Sequence, residues 1–217
     1  GRWAKEKNIP KIMGHRKGAE VIREISKACA NSGVGILTLF AFSTENWKRP
    51  KEEVDGLMDL LKNYLNKEKA ELNKNGIRFM SIGRIDDLRE DLREGINKLT
   101  SDTKTNERLI LNLAINYGAR SEIVDAAKLI AKEISENKIS SQFINEETFS
   151  KYLYTKSLPD PDLIIRTSGE MRLSNFLLWQ AAYSEIYVTE KLWPDFTKED
   201  LAEAIIDYSK RNRRFGG

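Results

Sequence analysis

Arg166 comes directly after an apolar run, Leu163-Ile164-Ile165, that suits a buried strand, and Arg172 and Ser174 follow a few residues on. A core strand that runs into two guanidinium groups and several hydroxyls is suited to end beside an anion. Guanidinium forks match phosphate oxygens two at a time, and a hydroxyl adds a further donor. Ser174 also opens a predicted helix, whose free N–H groups favour negative charge. The competing reading pairs these arginines with Asp162 and Glu170 on a solvated surface. A second cationic group lies near the start of the chain. Gly14-His15-Arg16-Lys17 opens a helix, with Lys11 one turn before it and Arg2 further back. His15 is the one histidine in the chain. A lone histidine is more often structural than functional, but at a helix start among cations it suits an anion contact. Two anion sites suit two phosphorylated substrates. Residues 43–50 add neutral groups: Asn46 could position or relay a proton, and Trp47 could wall an apolar ligand. Both residues also have ordinary uses, in a turn and in a core. Glu185, which opens Glu-Ile-Tyr-Val-Thr-Glu, could bind Mg²⁺, an ion that takes one or two carboxylates plus phosphate oxygens. Alone it needs a second carboxylate.

These residues need elements to position them, and the sequence alternates strand-like and helix-like segments. The spacing predicts helices over 17–31 and 51–75, the latter with Val54, Leu57, Met58, Leu61, Leu65 and Leu72 on one face. Strands are predicted at 35–42, 77–83, 108–117, 163–167 and 185–190. Leu88, Leu92, Ile96 and Leu99 mark another helix. Ser121 is the predicted cap of a helix running to about 138. A short helix is expected near 146–154, a further one over 174–182, and a last one capped by Thr197. Strand alternating with helix predicts a single α/β domain with a central, mostly parallel sheet flanked by helices. Ligands of such sheets bind at the carboxyl ends of the strands. The polar stretches 43–49, 116–120 and 166–170 all fall there, which suggests one crevice.

Composition narrows the classes. The chain has 217 residues, 40% of them hydrophobic, enough for one domain with a sizeable core. Its 36 Lys and Arg against 33 acids leave only +3, so bulk charge does not point to nucleic acid. Arg211, Arg213 and Arg214 form only a short basic tail. No apolar run reaches membrane-spanning length. One cysteine, Cys29, cannot form an internal disulfide, which fits a reducing, cytoplasmic setting.

GRWAK, GHRKGAE, LTLFAFSTENWKRP, LNLAINYGAR, DLIIRTSGEMRLSNFLLWQAAYSEIY, LWPDF and RRFGG occur in this order. Together they resemble the cis-prenyltransferases of the undecaprenyl diphosphate synthase type, over nearly the whole chain. The resemblance implies an Mg²⁺-dependent homodimer that condenses isopentenyl diphosphate onto an allylic diphosphate such as farnesyl diphosphate, with new double bonds in cis. The long product then serves as the lipid carrier for cell-wall glycans. Matched by position, Gly1, Arg2, Trp3, Lys11 and His15 would bind the allylic diphosphate. Lys11 stands where some members have arginine, which keeps the charge and loses the fork. Ser43, Thr44, Glu45, Asn46, Trp47 and Arg49 would line the same region, with Asn46 as proton acceptor. Arg166, Arg172, Leu173 and Ser174 would bind isopentenyl diphosphate, completed by Arg214 and Gly216 across a dimer. Glu185 would be a magnesium ligand; Met171, where some members have histidine, would not. In the family an Asp-Gly-Asn segment ending a strand precedes GRWAK, and its aspartate binds Mg²⁺. Without it, this chain is expected to be N-terminally incomplete, lacking the first strand and the main catalytic aspartate.

The resemblance also implies an apolar tunnel for the growing chain, expected between the helical faces of 17–31 and 51–75 and the strand 108–117, with Leu109 near its deep end. At about 0.8 kcal/mol per buried carbon group, a farnesyl tail gives at most roughly 10 kcal/mol before ordering costs. Each charge-assisted phosphate bond gives about 1.5–3 kcal/mol. The tail would then dominate affinity while the charges set position. A transient membrane contact would serve product release. The alternatives are a non-catalytic accessory subunit of a prenyltransferase and an unrelated phosphate-binding α/β hydrolase.

Overall fold

Three of the apolar runs build one parallel sheet in the computed structural model, which describes residues 1–211. The chain enters through a short helix, α1 (Arg2–Glu6), and a long one, α2 (Lys11–Asn31), and reaches the first strand, β1 (Ile36–Ser43). Helices α3 (Lys51–Lys67) and α4 (Lys69–Lys74) lead to β2 (Ile77–Ile82), and α5 (Glu90–Asp102) leads to β3 (Leu109–Tyr117). The strand order is β1-β3-β2. In register, Thr38 faces Asn112 and Met80 faces Asn112 from the other side. The central strand β3 is buried almost end to end, as a parallel strand covered on both faces must be. After it come α6 (Ala119–Ser135), α7 (Glu146–Ser150), the strands β4 (Leu163–Arg166) and β5 (Glu185–Val188), and α8 (Lys198–Ser209). β4 and β5 pair in parallel as a separate ladder, so among the described residues the parallel strands fall into two hydrogen-bonded groups.

The main core lies on one face of the larger sheet. Leu109, Leu111 and Leu113 of β3 and Phe79 of β2 pack there against Val21 and Ile25 of α2, Met58 and Leu65 of α3 and Leu92 and Ile96 of α5. A smaller cluster on the other face joins Ala114 and Tyr117 to Leu177, Phe40 and Phe176. The faces expected to line a tunnel therefore pack against one another, and Leu109 is a core residue.

Several boundaries differ from the sequence expectation. The 51–75 helix breaks at Glu68, whose buried carboxylate takes both Nε and Nη2 of Arg23 on α2. α6 starts at Ala119 after Gly118, two residues before the expected Ser121 cap. The predicted 174–182 helix forms instead as consecutive turns, because Ser174, Asn175 and Leu177 all have left-handed backbone (φ 53, 64 and 46°). Ser174 therefore opens no helix. α8 follows the prediction: Thr197 accepts from the Asp200 N–H, and Asp200 reaches back to the Thr197 N–H in a capping box. Among the described residues no helix is long and apolar enough to cross a membrane.

Candidate active site

The carboxyl ends of β1, β3 and β4 each release a polar segment, and the first two meet a third at Asn175. After β1, residues Thr44–Lys48 coil into a 3-10 helix. Ser43 caps it, and the Asn46 Oδ1 accepts the Ser43 N–H at 3.1 Å. After β3, Gly118 is the turn into α6. Asn175 ties both together: its side-chain N–H donates to Glu45 at 2.7 Å, its Oδ1 accepts from the Arg120 N–H at 2.8 Å, and its backbone carbonyl accepts from the Ala119 N–H at 2.8 Å. The fit is tight enough that a Cβ on Gly118 would lie 2.6 Å from the Thr44 hydroxyl and 2.7 Å from the Asn175 amide. Trp47 is held over this junction. Its indole N–H donates to Asn116 at 2.7 Å, and Asn116 donates to the Arg84 carbonyl. Its ring meets Phe42 edge-on at 5.1 Å.

Behind the junction sits a fully buried carboxylate. Glu122 accepts from the Tyr117 hydroxyl (2.6 Å), the Tyr154 N–H (2.8 Å) and the Gln180 amide (3.2 Å). It therefore links α6, the end of β3 and the turns that follow Ser174.

Two carboxylates organise the cations. Glu53 accepts from Lys11 at one oxygen (3.0 Å) and from Arg49 at the other (2.9 Å). The Lys11 hydrogen bond, with the Arg49 charge, holds its carboxyl below the usual range against the opposing effect of burial. Glu170 is shared in the same way by Arg2 (2.9 Å) and Arg172. Arg2 also donates to the Ser168 carbonyl, so α1 reaches the loop after β4. That loop turns through Ser168 and Gly169, both left-handed, and a Cβ on Gly169 would lie 2.3 Å from a Glu190 oxygen. Arg166, the last residue of β4, has a buried Nε with no partner. Burial first, and then the Arg172 charge, lower its pKa. A half-buried arginine with an unsatisfied Nε beside a like charge is a place where an anion is favoured.

A cavity of about 340 Å³ opens between the first turns of α2 and α3, lined by Lys11, Ile12, His15, Glu52, Glu53 and Gly56. His15 Nε2 and Trp3 Nε1 are buried without partners. Trp3 packs against Gly14, with Lys7 over its ring at 5.1 Å. The structure thus gathers Gly1, Arg2, Trp3, Lys11, His15 and Arg49 on one side and Arg166 and Arg172 on the other. Leu173 and Ser174 lead into the turns between Arg172 and Asn175. Arg214 and Gly216 lie outside the described residues.

Glu185 sits elsewhere. It opens β5 opposite Leu163, about 10 Å along the ladder from the Arg166 end. Its carboxylate accepts from Arg211 at 2.8 Å. Among the described residues no three His, Cys, Asp or Glu side chains are grouped to hold a metal ion. A single carboxylate already neutralised by arginine does not make a magnesium site unaided.

The family model described as "Putative undecaprenyl diphosphate synthase" matches residues 1–216. The chain belongs to this prenyltransferase family. An isoprenyl transferase of Clostridium tetani is 54% identical over all of this chain and 85% of its own length. One of Thermotoga maritima is 52% identical over all of this chain and 92% of its own. Lavandulyl diphosphate synthase from Lavandula x intermedia, solved with dimethylallyl diphosphate, superposes with a TM-score of 0.95 at 36% identity, covering 100% of this chain and 93% of that one. A probable undecaprenyl diphosphate synthase from Campylobacter jejuni gives 0.81 at 39% identity, with 93% and 92% covered. For a prenyltransferase the two-sided cation arrangement is chemically apt. Glu53 and Glu170 organise it; the sequence reading named Glu170 only as a competing surface partner of the arginines and did not single out Glu53, nor Gly118, Asn175 and Glu122 of the neighbouring junction.

Proposed function

We propose that this prenyltransferase condenses isopentenyl diphosphate units in cis onto an allylic diphosphate such as farnesyl diphosphate, giving a long polyprenyl diphosphate of the undecaprenyl type for cell-wall lipid carriers. The observation that carries the reading is Arg166: a half-buried arginine whose buried Nε has no hydrogen-bond partner, beside the Arg172 charge and across from a second cation group at the cavity. In this reading Lys11, Arg49 and Arg2 hold the allylic diphosphate, and the allylic tail enters beside Ile12 and Gly56. Arg166 and Arg172 hold the isopentenyl diphosphate.

The allylic carbon–oxygen bond breaks and diphosphate leaves with the electron pair, its growing charge neutralised by these cations. The isopentenyl double bond supplies the pair for the new carbon–carbon bond. Loss of a proton from the isopentenyl unit then forms the cis double bond. Holding both substrates is most of the protein's task. For Asn46 to accept that proton, its Oδ1 must first release the Ser43 N–H. Mg²⁺ enters the proposal as a companion of the diphosphates, whose oxygens would supply the ligands that Glu185 lacks. Homodimerisation and a cytoplasmic location belong to the same proposal, and light scattering and cell fractionation test them.

The decisive experiment adds farnesyl diphosphate and labelled isopentenyl diphosphate, with and without Mg²⁺, and follows label into an organic extract. Label in polyprenyl product is expected. Its absence, in protein that still binds both diphosphates, would move the reading to an accessory subunit.

A further inference from the structure

The positive charge of this chain is concentrated at one place. Residues 1–20 hold six cations and two acids, a local excess greater than the +3 of the whole chain. Part of that excess is held by carboxylates: Lys11, which lines the cavity, by Glu53, and Arg2 by Glu170 in the loop after β4. Another part faces outward. Lys5 and Arg16 are exposed and form no ion pair among the described residues.

The same surface carries two partly exposed apolar side chains. Asn8 has left-handed backbone (φ 52°) and turns the chain between α1 and α2, with the Ile9 N–H bonded to the Ala4 carbonyl at 2.9 Å. The turn leaves Ile9 37% and Met13 45% exposed. On α2, Met13 shares a face with Arg16 and Lys17, three and four residues on. Ile12 and His15 look the other way, into the cavity. The helix therefore lines the cavity with one face and shows Met13 among cations with the other, next to Ile9 in the preceding turn.

We propose that this surface seats on an anionic lipid bilayer, with Ile9 and Met13 entering the headgroup boundary and Lys5 and Arg16 lying over the lipid charges. The inference rests on the prenyltransferase reading above, because a long apolar product must pass from the cavity to a bilayer. Cations near an anionic surface are attracted within a Debye length, and a few apolar side chains inserted beside them give reversible attachment.

The test is co-sedimentation of the full chain, without substrates, with vesicles of phosphatidylcholine alone or mixed with phosphatidylglycerol. Binding is expected only to the mixed vesicles and is expected to weaken with salt. The Ile9→Glu, Met13→Glu double variant should lose it. The Lys5→Glu, Arg16→Glu variant should weaken it by about fivefold or more for each cation. The Ile9→Glu, Met13→Glu variant should keep the wild-type melting temperature and make product in detergent at the wild-type rate. Equal binding by wild type and either variant would overturn the proposal, as would equal binding to both vesicle types. RNA binding without vesicle binding would reassign the surface to nucleic acid. A chain that makes polyprenyl product but never binds vesicles loses this inference alone. One that binds vesicles as described but makes no product keeps the surface and loses the activity assigned to it.

Discussion

Replacing Gly118 by alanine tests whether the three loops are truly locked together. Gly118 has extended backbone (φ −160°, ψ 127°), which alanine adopts without strain. Any effect must therefore come from the added methyl group. That carbon would lie 2.6 Å from the Thr44 hydroxyl and 2.7 Å from the Asn175 amide. Ordinary contact needs about 3.5 Å, so each neighbour must retreat by close to ~0.9 Å. Neither is a free end. Thr44 begins the capped turn after β1, and Asn175 holds Glu45, Arg120 and Ala119 at once. Overpacking of this kind costs about 1–3 kcal/mol. A displacement near 1 Å at a substrate-positioning segment costs on the order of 100-fold in rate. Gly118→Ala is expected to unfold about 2 kcal/mol more easily in urea and to lose roughly 100-fold in kcat/KM. Adding Thr44→Ala removes one of the two clashing atoms and should restore part of both losses. A Gly118→Ala enzyme within about 0.5 kcal/mol of wild-type stability and with unchanged kinetics would refute the locked junction.

Arg172→Ala should weaken isopentenyl diphosphate more than the allylic substrate in binding titrations, and equal losses would move Arg172 out of that subsite. Asp125→Asn should cost about 1–2 kcal/mol at neutral pH, because Asp125 takes two bonds from Arg84, at 2.8 and 2.9 Å, and one from Tyr154. The Arg84 hydrogen bonds hold the Asp125 carboxyl below its usual range. Its contribution is therefore complete above the unfolded value near ~3.9 and lost as pH falls through the lower folded value. Urea melts in acid should show the gap between Asp125→Asn and wild type closing there, and a gap that persists unchanged would exclude this ion pair as the cause.

The parts of this protein that were legible in its sequence are those fixed by local pattern. The helical period at Val54, Met58 and Leu65 gave α3, and the apolar run before Arg166 gave β4 with its arginine at the carboxyl end. Thr197 announced α8 because a capping box lies within four residues. What stayed hidden depends on residues distant in sequence. The stretch 174–182 has a helical composition, yet Asn175 is needed at a left-handed turn by Glu45 and Arg120, residues 130 and 55 positions away. The start of α6 moved for the same reason, since Gly118 must admit Thr44 and Asn175. Individual arginines and lysines looked like anion ligands from position alone. The competing reading already paired these arginines with Glu170, and Arg172 does pair with it; that Arg2 joins them, and that Lys11 and Arg49 share Glu53, follows from packing between distant segments, which no spacing records.

That pairing makes His15 a reporter of occupancy. It is the one histidine, so its imidazole gives a single set of resonances. Burial first, and then nearby positive charge including Arg49 and Lys11, lower its pKa, with Glu53 opposing. The ring is therefore neutral at pH 7 in the unliganded protein. Because the folded value lies below the unfolded value near ~6.5, stability is lost as pH falls through the interval between them. A diphosphate held by Lys11 and Arg49 reverses the local charge and must raise the His15 pKa. Titrating the imidazole by NMR, with and without saturating inorganic diphosphate, should show that upward shift, and Lys11→Ala should reduce it. A titration that diphosphate leaves unmoved, in protein shown to bind it, would mean that Arg166 and Arg172 hold the anion alone. The cluster around Glu53 would then be a structural clamp between α2 and α3, and the allylic site would have to be sought elsewhere.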